Sequence, residues 1–251
     1  MLLAVDIGNT NITLGVFEGE VLIKTFRFIT DKNFAQDKYE KLLRDTLKGF
    51  EIQECAIVSV VEELTASFKE VCENIFRTKV FVLNSDCNVG LKFHSGEAKT
   101  IGSDRIANTC AVLEYNLPVI VVDIGTAVTF DIVSKDKTFL GGIIMSGINM
   151  ELSALNSYTS KLPLITVKES LKAIGDTTET CILSGVVRGK ACAVEGLISQ
   201  CEKELGEKAV IYATGGQCEL VSKYMTRQFD YVDINLTLKG LRKAYIHAKT
   251  M

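Results

Sequence analysis

The turn at residues 6–11, Asp-Ile-Gly-Asn-Thr-Asn, carries residue types that suit a phosphate group. Gly8 permits close approach to the backbone, the amides of residues 9–11 can point at one anion, and Thr10 adds a hydroxyl donor. Asp6, at the end of an apolar strand, could hold Mg²⁺ through water, since Mg²⁺ at phosphoryl-transfer sites keeps several waters and uses few carboxylates. Taken alone, the same residues also fit an ordinary polar β-turn.

A second copy of this turn favours phosphate binding. The segment AVDIGNTNITLGVF at residues 4–17 is matched by VVDIGTAVTFDIV at residues 121–133, so that Asp6 corresponds to Asp123. In both copies apolar residues alternate after the turn, which is the period of a strand, whereas a Rossmann fingerprint or a Walker loop requires a helix there. Each copy is therefore predicted to be a β-hairpin, and two such hairpins predict a nucleotide held in a cleft between two domains.

Between the copies, Gly102 and Ser103 can open a helix that has Asp104 and Arg105 in its first turn. The helix dipole favours the ionised form of such an Asp, which can then accept a hydroxyl proton during phosphoryl transfer. The neighbouring Arg can bind a carboxylate or phosphate in bidentate geometry. The alternative is a capped helix start with a surface ion pair.

A Thr-Gly-Gly turn at residues 214–216 follows another predicted strand, where a flat group such as adenine can approach the sheet edge. A Gly-Gly turn after a strand is common in proteins that bind no nucleotide.

The elements around these turns predict an α/β protein with two related domains. Three strand patterns are followed by alternating helices and strands, and the order is repeated after residue 118, which predicts two mixed sheets covered by helices. We predict domains at residues 1–101 and 102–251, with the active site in the cleft between them and the helix at 102–116 bridging them.

Composition excludes other classes of protein. A net charge of −3 provides no basic field for nucleic acid or anionic lipid, and no run of about 18 apolar residues predicts a membrane span. The eight cysteines lack CxxC spacing, and His94 and His247 are the only histidines, so that neither a zinc site nor a Ser-His-Asp triad is predicted. Free thiols predict a cytoplasmic location.

The ordered set of motifs resembles the type III pantothenate kinases along nearly the whole chain. No single motif is specific, but their order is. They lie at residues 6–11, 102–105, 123–129, 141–144, 175–178, 214–216 and 238–241. The resemblance implies the actin-like, ribonuclease H-like two-domain fold of sugar and acetate kinases. It also implies transfer of the γ-phosphoryl group of ATP to the primary hydroxyl of pantothenate, the first step of coenzyme A biosynthesis.

The resemblance also implies roles for individual residues. Asp104 is the implied proton acceptor, and Asp123 is the implied ligand of an activating K⁺ or NH₄⁺ ion. Members of the family are usually homodimers. The implied ATP contacts are Asp6, Ile7, Gly8, Asn9, Thr10, Asn11, Ile12, Thr13 and Thr126, and the implied pantothenate contacts are Gly102, Ser103, Asp104, Arg105 and Thr178.

The sequence departs from the family pattern at five positions. Ser95 and Ala98 replace a Tyr and a Pro upstream of the G-x-D-R element, and the Tyr normally touches pantothenate. Glu62 and Ser146 replace two further prolines, and Asp176 replaces a Lys. Two alternatives therefore stay open: a kinase of the same mechanism for another small hydroxylated acid, and a nucleotide-binding regulatory paralogue without catalysis.

Overall fold

The computed structural model describes residues 1–31, 36–94, 100–115 and 118–250. A π-helix lies at Ser184–Arg188. In chain order the other elements are β1 (Leu2–Ile7), β2 (Asn11–Glu18), β3 (Val21–Ile29), α1 (Gln36–Thr46), β4 (Glu54–Ser59), α2 (Glu62–Phe76), β5 (Val80–Val82), β6 (Lys92–Phe93), α3 (Ser103–Val112), β7 (Val119–Ile124), β8 (Ala127–Val133), β9 (Thr138–Ser146), α4 (Ile148–Ser157), α5 (Thr178–Leu183), α6 (Gly189–Leu205), β10 (Val210–Thr214), α7 (Cys218–Ser222), β11 (Tyr231–Val232) and α8 (Leu236–Lys249).

The chain divides into two compact units. The first unit comprises Met1–Tyr115 together with Asn235–Met251, and the second comprises Asn116–Ile234. The sequence predicts a boundary at 101/102 instead, with α3 bridging the domains. In the structure α3 and the C-terminal helix α8 both belong to the first unit.

The sheet of the first unit has the strand order β3-β2-β1-β4-β5. The central strand β1 runs antiparallel to β2 and parallel to β4. Asp6 faces Thr13 across the β1–β2 pair, and Ile7 is the partner of Ser59 in the β1–β4 pair. The carboxyl ends of β1 and β4 therefore lie side by side at one edge of the sheet.

The second unit repeats this topology, which confirms the predicted internal repeat. Its strands follow the order β9-β8-β7-β10-β11, with β7 antiparallel to β8 and parallel to β10. Asp123 faces Thr129 across the hairpin, as Asp6 faces Thr13 in the first unit. Both sheets are mixed, as predicted.

Each unit has its own apolar core, built on strand alternation. In β1, Leu3, Val5 and Ile7 point into a core shared with the helices α1 and α2. In β7, Ile120, Val122 and Ile124 point into the core of the second unit, which α4–α7 and the π-helix complete.

The helices α3 and α8 pack closely because Gly240 has no side chain. A Cβ atom at this position would lie 1.8 Å from the carbonyl oxygen of Ala107. The Thr237 hydroxyl donates to Asn108 Oδ1 at 2.8 Å, and Lys243 Nζ donates to the Ala111 carbonyl at 3.0 Å. These contacts attach the C-terminal helix to the first unit.

Some elements cannot be recognised from periodicity. A π-helix interrupts the helical segment between Thr178 and Leu205, and the elements β6, α7 and β11 are too short to show a period. Within the described ranges, no helix is both long enough and apolar enough to cross a bilayer. All eight cysteines are free thiols.

Candidate active site

The first hairpin, β1 and β2 with the turn at residues 8–10, is tightly closed. Gly8 N–H donates to the Asn11 carbonyl at 2.9 Å, and a Cβ on Gly8 would lie 3.1 Å from that oxygen. Thr30 fixes the other side, since its hydroxyl donates to the Gly8 carbonyl at 2.6 Å and its N–H to the Thr10 carbonyl at 3.0 Å. The turn is therefore a defined backbone structure.

The predicted ATP contacts of this hairpin are of two kinds. Asn9 and Thr10 are exposed at the tip, and their polar groups can meet a ligand. Ile7 and Ile12 are buried in the core at 0% and 1% exposure, so that any contact with a ligand must be made by their backbone. A ligand can therefore reach the side chains of Asn9 and Thr10, whereas at Ile7 and Ile12 it can reach only the main chain.

The start of α3 is attached to the same sheet edge through two serines. Ser103 Oγ donates to the Ser59 carbonyl at 2.6 Å and accepts the Ser59 N–H at 3.3 Å. Val60 N–H donates to the Ile7 carbonyl at 3.1 Å. Residues 102–105 thus lie beside the end of β4, whose neighbour in the sheet is the strand that carries Asp6.

Gly102 occupies the N-cap position of α3, and no side chain caps the helix there. The lack of a side chain also leaves room for Asp104, because a Cβ on Gly102 would lie 2.5 Å from Asp104 Oδ1. Asp104 Oδ1 accepts the N–H of Arg105 at 2.8 Å, which fixes the orientation of the carboxylate.

Burial raises the pKa of the Asp104 carboxyl above its ordinary value, although the Arg105 N–H and the Arg105 charge act in the opposite direction. The sequence predicts that the helix start favours the ionised form. The structure shows that desolvation is the larger effect. A raised pKa makes the ionised carboxylate a stronger proton acceptor.

The second hairpin, β7 and β8 with the turn at residues 125–126, is also closed by a glycine N–H, but its turn is one residue shorter than that of the first hairpin. Gly125 N–H donates to the Ala127 carbonyl at 3.0 Å, and Thr126 is exposed. Gly147, directly after β9, donates its N–H to the Thr126 carbonyl at 3.1 Å. The predicted ATP contact Thr126 is therefore supported from behind by the β9–α4 junction.

The Thr-Gly-Gly turn packs directly on Asp123. Gly215 has a φ angle of +91°, and a Cβ there would lie 2.5 Å from both Asp123 Oδ1 and the Ile124 carbonyl oxygen. Gln217 N–H donates to the same Ile124 carbonyl at 3.1 Å. A glycine is required at 215 by both its conformation and the space, and its close approach places the Asp123 side chain against the backbone of the turn that follows β10.

The remaining predicted site residues are distributed as follows. Thr178 is exposed at the first position of α5, directly after the Thr177 N-cap, in the second unit. Ser95 and Ala98 lie outside the described residues. Two residues that the sequence did not indicate, Ser59 and Thr30, attach the start of α3 and the first turn to the sheet. Their only sequence signal is a hydroxyl residue at or just beyond a strand end.

The chain is similar in fold to solved actin-like structures. MreB 5 of Spiroplasma citri, bound to AMPPNP, matches 99% of this chain and 97% of its own with a TM-score of 0.58 and 11% identity. A ROK hexokinase from Thermus thermophilus matches 100% of this chain and 99% of its own with a TM-score of 0.52 and 13% identity. The protein thus has the predicted actin-like fold.

Sequence comparison gives the family within this class. The profile of the type III pantothenate kinases matches residues 2–200. A type III pantothenate kinase of Roseiflexus sp. (strain RS-1) is 38% identical over 251 residues, which covers 98% of each chain. The chain belongs to the type III pantothenate kinase family, and is therefore a phosphotransferase.

Proposed function

We propose that this chain transfers the γ-phosphoryl group of ATP to the primary hydroxyl of pantothenate, with Asp104 as the proton acceptor. Phosphorylation of pantothenate, the first step of coenzyme A biosynthesis, is the activity of the family to which the chain belongs. The observation that carries the assignment of Asp104 is its position: a partly buried carboxylate with a raised pKa at the start of α3, beside the sheet edge of the first hairpin.

The two hairpins would hold the phosphate chain of ATP. The exposed Asn9 and Thr10 and the amides of the first turn supply donors, and Thr126 supplies a hydroxyl from the second turn. Arg105 would hold the acceptor through its guanidinium, and Thr178 would be a further acceptor contact. Phosphoryl transfer depends mainly on positioning and electrostatics, which is what two preformed backbone turns provide.

The carboxylates at the two hairpins suit cations that take most of their ligands from phosphate and water. Within the described part of the chain, no three His, Cys, Asp or Glu side chains cluster as a metal site. Single carboxylates at Asp6 and Asp123 instead match Mg²⁺ and a monovalent cation, K⁺ or NH₄⁺, respectively. When bound, these ions would neutralise phosphate charge, while Asp6 and Asp123 hold them in place.

We further propose a cytoplasmic homodimer. Four large apolar side chains between residues 158 and 174 are more than half exposed, which suits contact with a second copy of the chain. They are Tyr158, Leu164, Leu171 and Ile174.

A coupled assay of ADP release with and without pantothenate and K⁺ tests the proposed function. The expected result is ADP release that requires pantothenate and increases with K⁺ or NH₄⁺. ADP release with another small hydroxylated acid, but not with pantothenate, would favour the kinase of different specificity to which Ser95 and Ala98 point. ATP binding without ADP release for any acceptor would favour a regulatory paralogue.

A further inference from the structure

Lys190, near the start of α6, has a fully buried ammonium group. Its side chain is 1% exposed, and Nζ donates to the Ser146 carbonyl at 2.5 Å and to Glu151 Oε1 at 2.5 Å. The Ser146 hydroxyl donates to the same Glu151 oxygen at 2.7 Å. One buried charge therefore joins α6, the first turn of α4 and the last residue of β9.

The segment held by Lys190 is the one that supports the second hairpin. Ser146 is the cross-strand partner of Ala127, and the next residue, Gly147, donates its N–H to the Thr126 carbonyl at 3.1 Å. A Cβ on Gly147 would lie 2.1 Å from the Thr126 oxygen and 2.5 Å from the Gly125 oxygen. The two backbones are in direct contact, so that a displacement of residues 146–147 must displace the turn at 125–126.

Burial of an ammonium group in a protein core is unfavourable in free energy. Its desolvation must be offset by a counter-charge and hydrogen bonds, and an apolar residue of similar volume is often as stable or more stable. Core packing alone therefore gives little reason for a lysine here. An ammonium group differs from an apolar side chain in holding two oxygen atoms at defined positions, and one of these is the main-chain oxygen of Ser146.

We propose that Lys190 is a positioning residue for nucleotide binding, which with Glu151 clamps the β9–α4 junction and thereby fixes the turn that carries Thr126. The inference rests on the proposed function, in which Thr126 contacts ATP. Lys190 does not touch the substrate itself in this account. Its effect is to hold the second hairpin in the conformation that the phosphate chain requires before ATP arrives.

The test compares Lys190→Met with Glu202→Gln. Glu202 lies on the same helix about 18 Å further along its axis. Its side chain is also buried, at 4% exposure, and is paired with Lys208 and Arg227. Both variants remove one buried charge from the second unit, but only Lys190 contacts the junction behind the second hairpin.

Three quantities are measured: the thermal midpoint, the Kd of a fluorescent ATP analogue without acceptor, and the separate KM values for ATP and pantothenate. Lys190→Met is expected to raise the nucleotide Kd and the ATP KM about tenfold, the equivalent of one lost hydrogen bond, with little change in the pantothenate KM. Glu202→Gln is expected to lower the thermal midpoint without changing nucleotide affinity.

Wild-type nucleotide affinity in a folded Lys190→Met variant would overturn the proposal, as would an equal loss of affinity in Glu202→Gln. If Lys190→Met does not fold, Glu151→Gln is used, because it keeps an acceptor for the Ser146 hydroxyl but removes the counter-charge of Lys190. The expected rise in Kd is then about threefold, and an unchanged Kd overturns the clamp. Because nucleotide binding is measured without acceptor, a failure of pantothenate turnover is distinguished from a failure of the clamp.

Discussion

Replacement of Asp104 by Asn separates its proposed chemical role from a structural one. Asn has the same shape, and its Oδ1 can still accept the Arg105 N–H that Asp104 accepts at 2.8 Å. The start of α3 should therefore keep its conformation while losing the proton acceptor. General-base assistance is worth about 10²–10⁴ in rate, so we expect kcat to fall by this factor. The Kd of ATP should change little, because the contacts of both hairpins are unaltered.

The stability of this variant provides an independent check with a defined sign. Burial raises the pKa of the Asp104 carboxyl in the folded state. The stabilising contribution of this group is therefore complete below the unfolded-state pKa of about 3.9, and it is lost as the pH rises through the folded-state pKa. At neutral pH the ionised carboxylate therefore destabilises the fold. We expect Asp104→Asn to denature at a higher temperature than the wild type at pH 8, and the difference to shrink as the pH falls.

The assays are coupled ADP release, titration with a fluorescent ATP analogue, and thermal denaturation from pH 4 to pH 8. The wild-type kcat/KM should decrease on the acidic side as Asp104 becomes protonated, and the Asp104→Asn variant should not show this decrease. A variant that retains kcat would refute the proton-acceptor role. A variant that loses ATP affinity together with kcat, and denatures at a lower temperature at pH 8, would show that Asp104 is structural.

Two further predictions concern the packing of α8 on the first unit. The pKa of Glu54 is lowered, chiefly by its hydrogen bond from Lys249. The contribution of Glu54 to the stability of the fold is therefore present above its unfolded-state pKa, and it is lost as the pH falls through its lower folded-state pKa. Lys249→Met should therefore lower the stability in urea denaturation slightly at pH 7, and this loss should shrink as the pH falls through the folded-state pKa of Glu54. A loss that does not change with pH would contradict this origin. Gly240→Ala should cost about 1–3 kcal/mol through overpacking against Ala107. The control Gly196→Ala, in open space on α6, should be neutral or stabilising, and equal losses in both variants would argue against a close contact at residue 240.

The hairpins could be predicted from sequence because the evidence for them is local. Alternation of apolar residues on both sides of a Gly-containing turn defines a strand pair without reference to the rest of the chain. Residues 4–17 and 121–133 show this pattern twice, and the structure contains both hairpins with Asp6 opposite Thr13 and Asp123 opposite Thr129. The repeat also predicts that the order of strands and helices in the first half recurs in the second half.

The placement of α3 and α8 could not be predicted in this way. The hydrogen bond between Thr237 and Asn108 joins residues 129 positions apart, and nothing in the local pattern of either helix indicates its partner. Gly240 is the sole local sign of a close approach, and a single glycine in a helix has several possible causes. The same limit applies to Lys190, because a lysine in an amphipathic helix is ordinarily solvated and its burial depends on strands that lie far away in the sequence.

The repeat also shows where the two units have diverged. In each unit the parallel neighbour of the hairpin's first strand ends beside an Asp, but the residues that follow differ. In the first unit, β4 ends at Ser59, which binds Ser103 and so holds the helix start that carries Asp104. In the second unit, β10 leads instead to Gly215, whose backbone lies against Asp123 and leaves no space for a side chain. The same topological position thus holds the helix start with the proposed proton acceptor in one unit and is a bare backbone surface in the other. The repeat accounts for the presence of two hairpin turns, and the difference after the fourth strand places the proposed acceptor chemistry in the first unit.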